Sequence, residues 1–61
     1  MKQMIVDIVY LSDEYMKEYD LYCRYRVKSY VYATDNIVSY GVREEDIQDY
    51  QIGKIIRNSL V

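Results

Sequence analysis

The sequence predicts an α+β fold in which one short helix covers a three-stranded antiparallel sheet, in the order β-β-α-β. Apolar residues alternate with polar ones along two stretches, which is the period of a half-buried strand. A Thr-Asp pair, then apolar residues and a glycine, predict the helix. With 61 residues, no proline and no linker, the chain is expected to form one domain over residues 1–61.

The first strand is predicted from Met4 to Leu11, where β-branched residues are frequent. Both of its faces are largely apolar, so it is expected to be central in the sheet or covered by a partner chain. The polar residues 12–17 predict a turn that leads into the second strand.

The second strand is predicted from Glu18 to about Tyr32, with a bend near Ser29, because its residues alternate in character throughout. One face is expected to join the core and carries Tyr19, Leu21, Cys23, Tyr25, Val27 and Val31. The other face is expected to meet solvent and carries Asp20, Tyr22, Arg24, Arg26, Lys28, Tyr30 and Tyr32. These two strands are expected to form a hairpin.

The helix is predicted between Thr34 and Gly41, with the Thr-Asp pair as its start and the glycine as its end. Residues 43–46 predict a charged loop, and residues 47–56 predict the third strand. A helix over residues 44–60 is the alternative, at a cost of about 1 kcal/mol for its central glycine. The tail from residue 57 is expected to fray.

Nine tyrosines, with no phenylalanine or tryptophan, indicate an interface. A tyrosine ring is apolar and its hydroxyl is polar, which suits the rim of a groove or a protein–protein contact. A chain this short gains little net free energy from its core. Cys23 has no partner for an internal disulfide, and the lack of histidine argues against a zinc site. A homodimer is therefore predicted.

The residue types argue against an enzyme and against any cofactor or metal, because histidine and a glycine-rich phosphate loop are both missing. No apolar run approaches the length of a membrane span, so a soluble intracellular protein is expected.

The net charge of −2 argues against nucleic-acid binding. One alternative stays open, in which Arg24, Arg26 and Lys28 with interleaved tyrosines bind single-stranded nucleic acid.

Two acids suggest a different relation to DNA. Glu18 and Asp20 are two residues apart, so on a strand they would project from one face about 6.7 Å apart. That separation is comparable with the spacing of successive phosphates along a nucleic-acid strand. Acids arranged in this way beside an apolar groove could imitate DNA.

Residues 34–55 resemble the small uracil-DNA glycosylase inhibitors of short-tailed Bacillus phages. The matching positions are Thr34, Asp35, Val38, Tyr40, Gly41, Glu45, Asp46, Ile47, Lys54 and Ile55, and the most specific part is TDNIVSYG. Members of this family are homodimers with the same predicted order of elements, and they bind the DNA-binding surface of the enzyme. An apolar cleft of the dimer captures the side chain that the enzyme wedges into DNA, and nearby acids stand in for phosphates.

The resemblance implies a set of partner-binding residues. Tyr40 on the helix and Asp35 at its start match family positions, whereas Asn36 replaces an aromatic residue of the cleft, so Ile37 or Val38 is expected to supply apolar surface. Where the family has an acid in the second strand, this chain has Arg26, so Glu18 or Asp20 is expected to serve. The full predicted set is Glu18, Asp20, Tyr22, Tyr25, Asp35, Asn36, Ile37, Val38 and Tyr40.

The function implied by the resemblance is that of a phage-encoded inhibitor, which acts in the cytoplasm of the infected bacterium and blocks uracil-DNA glycosylase by imitating DNA. The alternative is a small adaptor or inhibitor that binds a different host protein.

Overall fold

A computed structural model of the chain describes residues 2–57, which form a four-stranded antiparallel sheet with two short helices. The elements are β1 (Lys2–Tyr10), α1 (Asp13–Glu18), β2 (Tyr25–Val31), β3 (Asn36–Val42), a 3-10 helix (Glu44–Asp49) and β4 (Ile55–Arg57). The strands lie in the order β3-β2-β1-β4. The α+β class is confirmed, and the predicted count of three strands is wrong. Neither helix among residues 2–57 is long and apolar enough to cross a membrane.

The predicted first strand is confirmed as β1, which lies inside the sheet between β2 and β4. Its pairing with β2 shifts register between Ile5 and Asp7, which accommodates one extra residue in β1. Ile5 and Ile8 can therefore both reach the core, although their spacing would place them on opposite faces of a regular strand. This bulge explains why simple alternation indicated two apolar faces.

The polar segment predicted as a turn is the helix α1, so that prediction is wrong. The Ser12 hydroxyl accepts a hydrogen bond from the Tyr15 backbone N–H at 3.1 Å, which caps the first turn. Asp13 lies in the first turn and Lys17 in the last, and both charges suit the helix dipole. The segment is polar because it is an exposed helix with no buried residue.

The second strand is shorter than predicted, because β2 begins only at Tyr25 and residues 19–24 form a loop. Asp20 has a left-handed backbone conformation with φ of 55°, which an extended strand cannot contain. Within β2 the predicted alternation is confirmed, with Val27 and Val31 buried and Arg26 and Lys28 exposed. The predicted direct hairpin is replaced by an antiparallel pair with α1 in its connection.

The predicted helix between Thr34 and Gly41 is wrong, because residues 36–42 form the strand β3. Residues 32–35 make the turn before it, in which the Asp35 backbone N–H donates to the Val31 carbonyl at 2.9 Å. All seven residues of β3 then pair with β2. A segment this short can form either element, and the neighbouring strand decides the outcome.

The predicted third strand over residues 47–56 is also wrong in most of its length. Its first part belongs to the 3-10 helix, Gly53 occupies a turn with φ of 89°, and of this range only Ile55 and Ile56 belong to a strand of the sheet. Arg57 lies in β4 rather than in a frayed tail. The rest of the predicted tail, and the end of the alternative helix, lie outside the described residues.

The hydrophobic core lies on one face of the sheet, where Ile5, Val27 and Val42 are buried together. Partly buried residues that pack around them are Ile8, Tyr25, Tyr40, Ile47, Tyr50 and Ile56. We call the opposite side of the sheet the open face. It carries Arg26, Lys28 and Tyr30 of β2, which alternate with the buried residues of that strand.

Tyr50 provides a prediction about alkaline stability. The centroids of the Tyr50 and Tyr40 rings lie 6.3 Å apart. Burial raises the pKa of the Tyr50 hydroxyl above the ordinary value of 10. The folded chain therefore holds this proton more tightly than the unfolded chain, so its contribution is complete below pH 10 and is lost as the pH rises further. We expect the free energy of unfolding in urea to fall less steeply above about pH 10 for Tyr50→Phe than for the wild type. If the free energy of unfolding falls equally steeply with pH in both proteins, the raised pKa does not belong to Tyr50.

Candidate functional site

One end of the sheet gathers most of the acids of the chain. Tyr10 at the end of β1, Tyr25 at the start of β2 and Val42 at the end of β3 lie side by side. Residues 12–26 and 43–46, which begin or end there, are called the acidic end. They contain seven acids and four bases, whereas the rest of the chain contains three acids and four bases.

Arg24 holds the acidic end together. Its Nη1 lies 2.7 Å from the Asp13 carboxylate and donates to the Leu11 carbonyl at 2.9 Å, and its Nε lies 3.8 Å from the Glu44 carboxylate. The hydrogen bond to Asp13 raises the pKa of the Arg24 guanidinium. Arg24 thus joins the starts of the two helices, and the prediction that it shares a solvent-facing row with Arg26 is wrong.

A pocket of about 260 Å³ opens in the acidic end, between the loop 19–24 and the sheet. Its lining is mainly apolar and consists of Leu11, Asp20, Leu21, Tyr22, Cys23, Tyr25, Arg26 and Gly41. Pockets for drug-sized ligands usually occupy about 300–1,000 Å³. The smaller volume suits a single aliphatic side chain from a partner.

Gly41 allows the loop to close against the sheet. A Cβ atom at this position would lie 2.8 Å from the Cβ of Cys23, which is closer than real contacts allow, and 3.0 Å from its Sγ, which is tighter than most. The glycine is therefore needed for close approach, and not to end a helix as predicted. The loop is also tied back to α1, because the Leu21 backbone N–H donates to the Met16 carbonyl at 2.8 Å.

The structure brings together only some of the predicted partner-binding residues. Asp20, Tyr22 and Tyr25 line the pocket. Glu18 is exposed at the end of α1 and does not line it. Asp35 lies just before β3, at the opposite end of that strand from the pocket residue Gly41. The two residues are about 20 Å apart along the strand.

The remaining predicted residues lie along β3 and do not share one surface. Tyr40 faces the core side, where its hydroxyl forms a 2.8 Å hydrogen bond with the buried Ser29. Ile37 and Val38 are exposed but point to opposite sides of the sheet, and Asn36 is the first residue of the strand. The prediction that one helix presents these side chains together is wrong, because a strand turns successive residues to opposite faces.

Asp35 already has a local partner. Its carboxylate accepts a hydrogen bond from the Tyr30 hydroxyl, and this bond raises the pKa of Tyr30. Asp35 therefore serves the turn before β3, as its left-handed φ of 54° also indicates.

Sequence reasoning missed the pocket residues Leu11, Leu21 and Gly41 as a group. The sequence predicts both Leu11 and Leu21 in strands, whereas in the structure both lie outside the strands and meet Gly41 only in the folded chain. The available signal was the left-handed residue Asp20, because aspartate tolerates that conformation better than most residues.

Within the described part of the chain, no three His, Cys, Asp or Glu side chains are grouped so as to hold a metal ion. Comparison of the chain with protein-family models, with curated proteins and with solved structures gives no match. The features of the chain that indicate a function are therefore the pocket, the charges around it and the motif TDNIVSYG.

Proposed function

We propose that the chain inhibits a uracil-DNA glycosylase by covering the enzyme's DNA-binding surface with its acidic end. The observation that carries this proposal is an apolar pocket set among seven acids and four bases. A surface that binds DNA is basic, and a base-flipping enzyme must also open the duplex. Enzymes of this kind that insert an apolar side chain into DNA would offer both a charge and a shape complementary to the acidic end.

The pocket is complete within one chain, whereas the resemblance implies a slot between two copies. Leu11 and Leu21 supply apolar wall, and Tyr22 stands at the rim with 84% of its surface exposed. A wedge side chain placed there would exchange contact with water for contact with these residues, which is favourable at about 25 cal/mol per Å² of buried apolar area.

Several acids near the pocket are available to a basic partner. Among residues 2–57, the carboxylates of Glu14, Glu18 and Asp20 form no ion pair within 4.0 Å. Their charges would attract a basic surface and accelerate association, and this attraction weakens as salt screens it. We therefore expect the association rate with the enzyme to fall as salt concentration rises.

The first experiment is a uracil-excision assay with a bacterial glycosylase and the purified full chain. We expect cleavage of uracil-containing DNA to stop at a near-equimolar ratio, because a tight competitor titrates the enzyme. Undiminished cleavage at about a tenfold molar excess would contradict the proposed function.

Tyr22→Ala tests whether the pocket is the contact. We expect this change to weaken binding to the enzyme by about 1–3 kcal/mol, as removal of a central interface aromatic often does. Tyr19→Ala is the matched control, because Tyr19 belongs to the same loop, is 58% exposed and does not line the pocket. Equal affinities for the two variants, measured by titration calorimetry, would place the contact elsewhere.

The same pair of variants separates the proposed target from a different host protein. If the glycosylase is not inhibited, the wild type, Tyr22→Ala and Tyr19→Ala serve as baits in a bacterial lysate. A protein that is retained by the wild type and the Tyr19 variant but lost with the Tyr22 variant would be the partner of the pocket, and the chain would be an adaptor or inhibitor of that protein.

One observation favours a second candidate function, the binding of single-stranded nucleic acid. The open face carries a row formed by Arg26, Lys28 and Tyr30. The Lys2 ammonium lies 4.8 Å from the centroid of the Tyr32 ring. Basic side chains and aromatic rings in alternation can bind phosphates and stack bases.

This second candidate is tested by a gel shift with a labelled single-stranded oligonucleotide at low salt. If the chain binds single-stranded nucleic acid, we expect a salt-sensitive shift that Lys28→Glu weakens. Lys54→Glu should not weaken it, because Lys54 lies before β4 and outside the row of Arg26, Lys28 and Tyr30. The absence of any shift would remove nucleic acid as a ligand and leave the glycosylase proposal unaffected.

A further inference from the structure

β3 is an edge strand that lacks the usual protection against pairing. It lies at the outside of the sheet, and within residues 2–57 no strand pairs with its outer side. Its seven residues, NIVSYGV, include no charged residue and no proline, and its pairing with β2 has no bulge. Natural sheets commonly protect an edge with charges, proline, a bulge or short length.

The other edge of the sheet shows the contrast. β4 has only three residues, and Lys54 and Arg57 stand at its two ends. Short length and positive charge both oppose the addition of another strand there. The exposed backbone groups that can accept a partner are therefore concentrated along β3.

We propose that β3 pairs in antiparallel direction with β3 of a second copy, so that two four-stranded sheets form one continuous sheet. A register centred on Ser39 pairs all seven residues of one strand with all seven of the other, and any other register leaves some unpaired. This arrangement has two-fold symmetry, which is the commonest form of a homodimer. Because β3 carries no charge, no like charges face each other across the pair.

The side chains fit this register. Val38 of one copy faces Tyr40 of the other on the core side, and Ile37 faces Gly41 on the open face. Ile37 is 62% exposed and Val38 38% exposed in the single chain, so pairing would cover apolar surface in both copies. Gly41 has no side chain and Cys23 packs over it, so Ile37 of the second copy would meet Cys23 there.

The second copy would thus adjoin the pocket, because Gly41 and Cys23 are both part of its lining. Self-association of this kind does not depend on the glycosylase or on any other partner. It assigns the homodimer predicted from composition to a specific strand.

Sedimentation of the full chain tests the proposal. We expect the wild type at micromolar concentration to have twice the chain mass of 7.4 kDa. Ile37→Lys should raise the dissociation constant of the dimer at least about tenfold, since it places a charge on the paired edge. Ile52→Lys is the matched control, because Ile52 is 66% exposed but lies in a turn away from β3, and it should leave the dimer unchanged.

Circular dichroism shows whether both variants keep their secondary structure. If Ile37→Lys does not fold, Ser39→Lys provides a second charged edge, because Ser39 is exposed on the same strand. Single copies of the wild type, or equal weakening by the edge and the control variants, would overturn the proposal. Self-association that both variants leave intact would also overturn it.

A crosslinking experiment tests the register. In a Cys23→Ser background, Ser39→Cys places one thiol in each copy directly across the two-fold axis. A thiol crosslinker shorter than about 10 Å should join the two copies, since facing residues of paired strands are about 5 Å apart. Ile37→Cys should not be joined, because the two positions 37 would be about 13 Å apart along the strands. Efficient joining at position 37, or none at position 39, would overturn the register.

Discussion

Replacement of Ile5 by alanine is expected to lower the free energy of unfolding by about 2–5 kcal/mol, as loss of a buried isoleucine does elsewhere. Ile5 is fully buried at the centre of the core, against Val27 and Val42. Domains gain only about 0.05–0.15 kcal/mol of stability per residue. For a chain of 61 residues the loss would be a large part of the total.

Ile5 also anchors the segment that leads into β4. Its backbone N–H donates to the Lys54 carbonyl at 2.9 Å, and its carbonyl accepts from the Gly53 N–H at 2.7 Å. A cavity at this position would weaken the support of β4 as well as the core. We therefore expect the unfolding transition of Ile5→Ala to occur at a lower urea concentration than that of the wild type.

The control for this prediction is Ile52→Ala, which removes the same atoms from a side chain that is 66% exposed. It should change stability by no more than about 0.5 kcal/mol. Ile5→Val should have an intermediate effect of about 0.5–1.5 kcal/mol. If Ile5→Ala and Ile52→Ala unfold at the same urea concentration, the core is not where the structure places it.

Gly41→Ala is the second change with a large expected effect, a loss of about 1–3 kcal/mol in stability. The added Cβ would lie 2.8 Å from the Cβ of Cys23, so the loop 19–24 would have to move away from the strand. Because both residues line the pocket, the same movement should weaken binding of the proposed enzyme partner.

A double-mutant cycle isolates this contact. Cys23→Gly removes the Cβ that the new methyl group would meet, so Gly41→Ala should cost much less in that background. Cys23→Ala keeps the Cβ, which is the nearer of the two atoms, and removes only the Sγ, so it should give less relief than Cys23→Gly. Urea unfolding of the four chains in the cycle measures the coupling, and a coupling of zero would contradict the proposed contact.

Gly53→Ala supplies a contrast, because no atom outside its neighbours lies within 4 Å of the added Cβ. Its φ of 89° makes alanine unfavourable for backbone reasons alone, at about 1–2 kcal/mol. This cost should be the same whether or not Cys23 is replaced. The two glycines thus distinguish a need for close approach from a need for conformational freedom.

The candidate site could be predicted only in part from the sequence. Tyr22 is predicted at a binding surface because of its residue type, and Asp20 because of its spacing from Glu18 along a strand. The structure places Tyr22 and Asp20 at the pocket, but Glu18 lies in α1 and Asp20 in the loop, so the predicted strand spacing is wrong. Arg24 was placed in a solvent-facing row, but its partners Asp13 and Glu44 are distant in sequence and meet it only in the folded chain. No local pattern could have shown that pairing.

The sequence by itself determined the strand β1 and the alternation of β2 from Tyr25 onward, because these depend on residue character at short range. The α+β class is confirmed, but its helices, residues 13–18 and 44–49, begin where a turn and a charged loop are predicted. Only the tertiary structure decided that residues 36–42 form a strand. Their length and composition allow a helix or a strand, and hydrogen bonding to β2 selects the strand. The pocket was decided at the same level, because it needs Gly41 of β3 to receive the loop that carries Cys23.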